Sequence, residues 1–248
     1  MSKIITSEIV PTDVLEAQVK SLETEFPDLA KRGIAIMGEF ECGYPLFLGI
    51  NPSFLYDKQK GKWPSVPGDS DYCSYYPLIK VVKKKEMTPE YKSKNKHFLR
   101  AIEISNDLEL ENVNHLDLLS VRETDEEVIN ELLSSKSEVC KSYFMGQICN
   151  VTKIIIEIQP SIIIVENRLV RKLFFEHHIF NFIPASKENA QGWNEELGVD
   201  FIKIGDFFVP VIFTGMLASL NSGSYHSLKW HIRHILNNKD KWPKSETK

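Results

Sequence analysis

Hydrophobic residues occur along this chain in two alternating patterns, one with helical spacing and one in short unbroken runs. The helical spacing predicts helices at residues 12–32, 76–85, 89–104, 126–133, 138–158, 167–176 and 224–236. The unbroken runs predict strands at residues 33–37, 45–50, 113–119, 161–165, 199–204 and 207–213. Because strands and helices alternate through most of the chain, we predict an α/β fold, a three-layer α/β/α sandwich around a central, largely parallel sheet.

The domain organisation follows from the length of the chain and from the lack of a linker. The chain has 248 residues, which is enough for one α/β domain or for two small domains. No stretch is rich enough in Pro, Gly or Ser to separate two domains. We therefore predict a single domain over residues 1–248, with an N-terminal helix at 12–32 and a polar tail at 240–248.

Composition and charge exclude several classes of protein. With 42% hydrophobic residues and a net charge of −4, the chain has neither a fibrous, a disordered nor a wholly basic, histone-like composition. Its apolar runs are well short of the roughly 20 residues that a membrane-spanning helix needs. Residues 1–12 lack the apolar segment of a secretory signal. We expect a cytoplasmic protein without a membrane span.

The sequence also lacks the common metal and cofactor motifs. Its 4 cysteines are scattered without a C-x-x-C pair, which argues against a zinc cluster and a disulfide framework. It has neither a G-x-x-x-x-G-K-[ST] phosphate-binding loop nor a G-x-G-x-x-G dinucleotide motif. We therefore expect no metal and no cofactor.

Two loops after predicted strands carry the best candidates for chemistry. Ligands of open α/β sheets bind outside the carboxyl ends of the strands, so the loops after residues 50, 119, 165 and 213 are the candidate positions for a site. In the first loop, Pro52 keeps Asn51 out of a helical conformation, at the tip of its strand. In the last, the small residues of 214–224 run into the final helix, whose N-terminal amides favour an anion such as a phosphate.

Residues 45–236 resemble the uracil-DNA glycosylase superfamily, and in layout its mismatch-specific uracil/thymine-DNA glycosylase branch. The matching segments, in the same order, are Asn51-Pro52 after a strand, Ser74-Tyr75-Tyr76-Pro77, residues 117–124, Gln159-Pro160 before a strand, and the Ser-rich loop before the last helix. The resemblance implies an α/β/α fold and an enzyme that flips a nucleotide out of DNA and hydrolyses its N-glycosidic bond.

The resemblance also implies roles for individual residues. Asn51 orients the attacking water, Tyr75 or Tyr76 stacks on the flipped base, and Ser53 lines the pocket where many relatives have Gly. The loop before the last helix enters the minor groove and contacts phosphates through Ser219, Asn221, Ser222 and Ser224. The residues themselves also allow plainer interpretations, in which Asn51 caps a turn and the tyrosines pack against a helix.

The chain departs from the family pattern in both catalytic motifs. The first motif has Asn51 where many members have an acidic residue, and the second has no His-Pro. His226, at the start of the last helix, could replace the missing histidine by stabilising the negative charge of the departing base, or it could be structural. Lys229 and Arg233 are predicted to form a solvated face that contacts the DNA backbone.

Asp117 stands where several branches have an Asn that reads the uracil edge, with Asn114 and His115 as rivals for that alignment. An ionised carboxylate only accepts hydrogen bonds, so Asp117 predicts a preference for a base with an exocyclic amine, such as a cytosine derivative, over uracil. The alternative is a buried partner for Arg122 or for a backbone amide.

The leading hypothesis is therefore a monofunctional DNA glycosylase whose partner is DNA, and a monomer is favoured over an oligomer. The basic stretch between Lys80 and Arg100 is expected to give local electrostatic binding despite the net charge of −4. The alternatives are a nucleic-acid-binding module that has the fold without catalysis, and a hydrolase of free nucleosides or nucleotides.

Overall fold

The computed structural model describes residues 4–6, 9–52, 73–76, 78–94, 98–123, 125–182 and 192–243. The strands are β1 (Ile4–Thr6), β2 (Ile34–Met37), β3 (Glu39–Glu41), β4 (Leu46–Gly49), β5 (Cys73–Tyr76), β6 (Ile79–Lys80), β7 (Asn112–Asp117), β8 (Ile163–Val165), β9 (Trp193–Asn194), β10 (Val199–Ile204) and β11 (Phe207–Phe213). The α-helices are α1 (Thr12–Lys20), α2 (Pro27–Arg32), α3 (Pro89–Lys94), α4 (Leu99–Asp107), α5 (Glu126–Ser134), α6 (Glu138–Ile158), α7 (Arg168–His177) and α8 (Ser222–Asn237).

The central sheet has seven strands in the order β6-β7-β4-β8-β11-β10-β9. The four middle strands, β7, β4, β8 and β11, are parallel, and the strands outside them are antiparallel to their neighbours. Two smaller pairs, β1 with β3 and β2 with β5, lie outside this sheet. The predicted fold class is confirmed: helices cover a mixed sheet with a parallel centre.

A separate hydrophobic core lies on each face of the sheet. Leu48, Leu116 and Val165 belong to the core that α1, α2, α5, α6 and α7 cover. Phe47, Val113 and Ile164 belong to the core under α4 and α8. Adjacent strand residues thus point to opposite cores, which explains why the middle strands read as unbroken apolar runs.

Side-chain caps start four of the described helices, α5, α6, α7 and α8. Asp125 accepts from the N–H of Glu127 at the start of α5, as its sequence predicts. Ser137 does the same for α6, and Asn167 for α7. Gln159 ends α6 in a left-handed conformation just before Pro160, where the sequence predicts the end of that helix.

Three predicted helices are wrong in extent or in kind. The predicted helix 12–32 is α1 and α2, separated by a short 3-10 turn at Ser21–Thr24. The predicted helix 89–104 overlaps α3 and α4, of which α4 continues to Asp107, and residues 95–97 lie outside the described part. The predicted helix 76–85 is instead β6 and a 3-10 turn, because β6 pairs with the start of β7 and tertiary pairing overrides the local pattern.

The polar tail packs more closely than its composition suggests. Lys241 pairs with Glu196 at 2.8 Å, and the indole N–H of Trp242 donates to the carbonyl of Ile235 at 3.2 Å. Residues 244–248 lie outside the described part. No described helix is both long and apolar enough to cross a membrane.

Candidate functional site

The carboxyl ends of β4, β7, β8 and β11 meet at one edge of the sheet, here called the carboxyl edge. The chain stays paired just past these strands, since Glu166 N–H donates to Leu48 O at 3.2 Å and Thr214 N–H donates to Val165 O at 2.9 Å. Both loops that the sequence favours, at Asn51 and before α8, therefore leave the sheet from this edge, where open α/β sheets bind ligands.

Three ionisable side chains meet at the carboxyl edge and form what we call the acidic cluster. His115 Nε2 lies 3.3 Å from Asp117 Oδ1, and His115 Nδ1 lies 3.4 Å from Glu166 Oε1. The side chains of His115, Asp117 and Glu166 are 14%, 17% and 18% exposed. Gly49 pairs with Asp117 across the sheet, and a Cβ on Gly49 would lie 2.2 Å from Asp117 Oδ1. Glycine thus makes room for the carboxylate.

The two carboxylates determine the charge of His115. Burial by itself lowers the pKa of His115, but the charges of Asp117 and Glu166, together with hydrogen bonds to them, outweigh burial and raise that pKa to about 10. His115 is therefore an imidazolium at neutral pH. The Phe98 ring packs edge-on against it, with ring centroids 5.0 Å apart. Among the described residues, no group of His, Cys, Asp and Glu is arranged to hold a metal ion.

Asn51 joins the loops that follow β4 and β7. Its Nδ2 donates to the carbonyl of Glu123 at 2.6 Å and to that of Pro52 at 3.1 Å. Glu123 is in turn paired with Arg32. The amide nitrogen of Asn51 thus has a structural role, which is to join these two loops. No described residue donates to Asn51 Oδ1, and this oxygen can still accept a hydrogen bond from a water.

The alternatives for Asp117 are resolved by its neighbours. Arg122 donates to the carbonyl of Ile34, at 3.1 Å from Nε and 2.9 Å from Nη2, so it is not the partner of Asp117. Asn114 is fully buried, and its side chain binds the backbone N–H and C=O of Glu41 at 2.9 and 2.7 Å. Asn114 therefore cannot read a base, and His115 is the partner of Asp117.

Tyr75 and Tyr76 belong to β5, whereas the sequence predicts that Tyr76 begins a helix. β5 runs parallel to β2, which bridges to Val121 just past the end of β7. Tyr75 pairs with Ile36 of β2, and Tyr76 pairs with Met37. Ser53 lies outside the described residues.

The loop before α8 is organised by its own hydrogen bonds. Asn221 caps α8, and its Oδ1 accepts from the N–H of Ser224 at 2.8 Å. The hydroxyl of Ser219 donates to the carbonyl of Met216 at 2.8 Å. Ser219, Ser222 and Ser224 are exposed, as a surface contact with DNA requires, and Met216 is 62% exposed.

His226 is exposed on α8 and lines two surface grooves, of about 700 and 460 Å³. Lys229 and Arg233, the predicted contacts to the DNA backbone, both pair with Asp107 at the end of α4. Their charges are thus partly neutralised within the protein. Burial, followed by the charge of Glu103, raises the pKa of nearby Tyr225.

The start of the basic stretch lies away from the carboxyl edge. Lys80 pairs with Asn112, the first residue of β7, and the N–H of Val81 donates to Glu111 O at 2.8 Å. The chain therefore leaves β6 at the amino ends of the parallel strands. Arg100, at the start of α4, donates to the carbonyl of Leu217 at 2.6 Å in the loop before α8.

Sequence reasoning missed Glu166 and treated His115 only as a rival of Asp117. Glu166 directly follows the buried strand β8, a position from which a side chain reaches the carboxyl edge. The presence of a carboxylate at that position was the signal in the sequence that could have identified Glu166. The pairing of His115 with both acids needed the strand order.

No model of a known protein family matches the chain, and no curated protein matches it significantly.

Proposed function

We propose that this protein is a DNA glycosylase, which hydrolyses the N-glycosidic bond of a damaged or modified base flipped out of DNA. The observation that carries the proposal is the position of Asn51, at the tip of β4, with Oδ1 free of any described donor. A side-chain oxygen held there can accept from a water and direct it at the sugar carbon. The hydrogen bonds of its Nδ2 hold that oxygen in place.

The surroundings of Asn51 support this role. The acidic cluster offers hydrogen-bond acceptors for a base at the same edge, and the exposed serines before α8 offer hydroxyls for phosphates. The exposed Met216 is an apolar side chain of the sort that wedges between base pairs when a duplex is opened. The resemblance to the uracil-DNA glycosylase superfamily, the cytoplasmic location and the monomeric state remain predictions.

A second function, hydrolysis of a free nucleoside or nucleotide, is favoured by the distribution of positive charge. Lys229 and Arg233 are paired with Asp107, and the chain around Lys80 lies at the opposite edge of the sheet. A duplex is held mainly by cations that contact its phosphates, whereas a single nucleoside needs none.

Incubation with duplexes that each carry one lesion, followed by alkaline cleavage of abasic sites, tests the proposed function. We expect strand breaks at one or more modified bases and none in the undamaged duplex. Duplex affinity should fall steeply as the salt concentration rises, because each contact with a phosphate releases bound counterions. Each such contact contributes about −0.9 to the slope of the logarithm of the binding constant against the logarithm of the salt concentration. Turnover of free nucleosides without duplex binding would favour the second function, and duplex binding without turnover would favour an inactive binding module.

A further inference from the structure

The larger surface groove, of about 700 Å³, lies between α8 and the turn that joins β9 to β10, and we call it the α8 groove. His231 of α8 donates from Nε2 to the carbonyl of Leu197 in the turn at 2.7 Å. Within the turn, Asn194 Oδ1 accepts from the N–H of Leu197 at 3.0 Å, and the N–H of Gly198 donates to Asn194 O at 2.8 Å. Both walls of the groove are therefore fixed by the fold. The described residues that line it include neither Asn51 nor a member of the acidic cluster.

Trp230 presents a large aromatic surface in the α8 groove. It is 65% exposed, more than any other large hydrophobic residue that the structure describes. The ring of His234, one turn further along α8, stacks on it with centroids 5.1 Å apart and an angle of 6° between the planes. The indole N–H has no acceptor among the described residues. An exposed tryptophan in a concave surface is typical of a binding site, because burying it against a partner releases much apolar area from water.

The charged residues that line the α8 groove are both acidic. Glu196 pairs with Lys241 at 2.8 Å, whereas the exposed Glu195 has no cationic partner among the described residues. No lysine or arginine of the described chain lines the groove, and Lys229, next to Trp230 in the sequence, pairs with Asp107 instead. An exposed carboxylate is negatively charged at neutral pH. The groove thus combines an open aromatic face with a negative charge that the protein does not balance.

We propose that the α8 groove binds an arginine side chain of a partner protein, with its guanidinium stacked on Trp230 and paired with Glu195. A guanidinium is planar and weakly hydrated, so it stacks on an indole while its N–H groups donate to a carboxylate. A lysine ammonium is compact and strongly hydrated and matches this pair of groups less well. The inference goes beyond the proposed function and does not depend on it.

The size and polarity of the groove favour a polypeptide over a free arginine or a nucleic acid. A groove of about 700 Å³ leaves room for residues on either side of the guanidinium. The indole N–H of Trp230 is a donor for a backbone carbonyl of such a segment. A free arginine brings its own carboxylate close to Glu195. A nucleic-acid strand also stacks bases on exposed aromatic rings, but its phosphates are repelled by the acidic side chains of this groove.

The first test measures peptide binding to the wild-type protein by NMR. The probe is a short blocked peptide with one arginine among alanines, and its matched controls carry citrulline, which has the shape of arginine without the charge, or lysine. At pH 8, where an ordinary imidazole is uncharged, we expect the arginine peptide to shift the indole N–H signal of Trp230. It should bind about fivefold or more tightly than either control peptide. An unmoved Trp230 signal, or equal affinity for the citrulline peptide, would overturn the proposal.

The second test compares variants of the two proposed contacts. Trp230→Ala should weaken binding of the arginine peptide by about fivefold or more, and Glu195→Gln by about threefold. The matched controls are Trp193→Ala, an exposed tryptophan outside the groove, and Glu157→Gln, an exposed carboxylate on α6. Since Trp230 and Glu195 are both exposed, urea denaturation should show that each variant remains folded. Affinity that neither groove variant reduces more than its control would contradict the proposal.

Other occupants of the groove give different results. Binding of an oligothymidine at Trp230 more tightly than the arginine peptide would overturn the proposal in favour of a nucleic-acid strand. Self-association in analytical ultracentrifugation that Trp230→Ala abolishes would overturn it in favour of a second copy of the chain. The peptide measurements need neither DNA nor catalysis. If lesions are excised but the arginine peptide does not bind, this inference fails alone, and if the peptide binds but no lesion is excised, only the proposed function fails.

Discussion

Strand β7 carries two polar clusters, and they differ in how deeply their side chains are buried. At the start of the strand, Asn112 and Asn114 bind Glu41, and all three residues are buried. At its end, His115 and Asp117 meet Glu166 and remain partly exposed. Because side chains alternate along a strand, the two clusters lie on opposite faces of the sheet.

The difference between the clusters separates a structural role from a binding role. Both polar atoms of the Asn114 side chain are engaged by the backbone of β3, so its interactions join two strands and leave nothing for a ligand. The acidic cluster has charges and spare acceptors at an edge that reaches solvent. A buried residue that is fully hydrogen-bonded stabilises the fold, and a partly exposed one with unused acceptors can bind.

Replacement of Asn114 tests the buried cluster of Asn112, Asn114 and Glu41, and it should have the largest effect on stability. Asn114→Leu keeps the side-chain volume but leaves the N–H and C=O of Glu41 without partners. Each unpaired buried group costs about 1–3 kcal/mol, so we expect the free energy of unfolding to fall by about 3 kcal/mol. Urea denaturation measures it, with the exposed Asn237→Leu as control. A loss similar to that of the control would contradict the structural role.

Replacement of Asn51 tests whether the carboxyl edge takes part in catalysis. If Asn51 orients the water, Asn51→Ala should lower the single-turnover rate of base release by about a hundredfold or more and leave duplex affinity nearly unchanged. Asn237→Ala is the matched control. Because Asn51 also joins two loops, the unfolding transition of the variant should be measured alongside the rate. An unchanged rate in a folded variant removes Asn51 from the mechanism.

The dependence of stability on pH tests the charge of His115 in the acidic cluster. The folded pKa of His115 is about 10, above its unfolded value of about 6.5, so its stabilising effect is complete below pH 6.5 and is lost as the pH rises through 10. Over this interval we expect the free energy of unfolding to fall by up to about 1.4 kcal/mol per pH unit. Urea denaturation at several pH values measures this slope.

The variant His115→Gln isolates the contribution of His115 to that slope, since all other titrating groups are the same in both proteins. We expect a shallower slope for the variant. Identical slopes would mean that His115 is not protonated between the two acids.

Replacement of Gly49 should have the smallest effect on stability and a selective effect on the acidic cluster. The new Cβ of Gly49→Ala would displace Asp117 Oδ1, and because a carboxylate end can swing aside, we expect a loss of only about 1 kcal/mol. The pKa of His115 should fall, since one of its partners moves away. Gly215→Ala, where an added Cβ meets nothing within 4 Å, is the control. An unchanged His115 titration would show that the contact with Asp117 is unimportant.

Helix starts, buried strands and the fold class were accessible from the sequence because their signals are local. Asp125 caps α5 as predicted, and the unbroken run of β8 predicted a strand buried on both faces. The helix predicted at 76–85 is wrong because an edge strand depends on its neighbour. Ile79 and Lys80 form β6 only by pairing with β7.

The candidate site was predictable one residue at a time but not as a cluster. Asn51 and Asp117 each follow from their position at a strand end, whereas Lys229 appeared free for DNA and is paired with Asp107, more than a hundred residues away in the chain. A long-range ion pair leaves no local pattern in the sequence. The same holds for His115, in β7, and Glu166, which directly follows β8.

The sequence by itself determined which residues form buried strands and that their polar ends face one edge, because apolar runs and strand termini are encoded locally. Only the tertiary structure decided which of those polar ends meet. β4 lies between β7 and β8, the missing side chain of Gly49 leaves space for Asp117 beside His115, and Glu166 reaches His115 from just past β8. The charge of a buried histidine depends on the groups within a few ångströms, and the strand order brings those groups together.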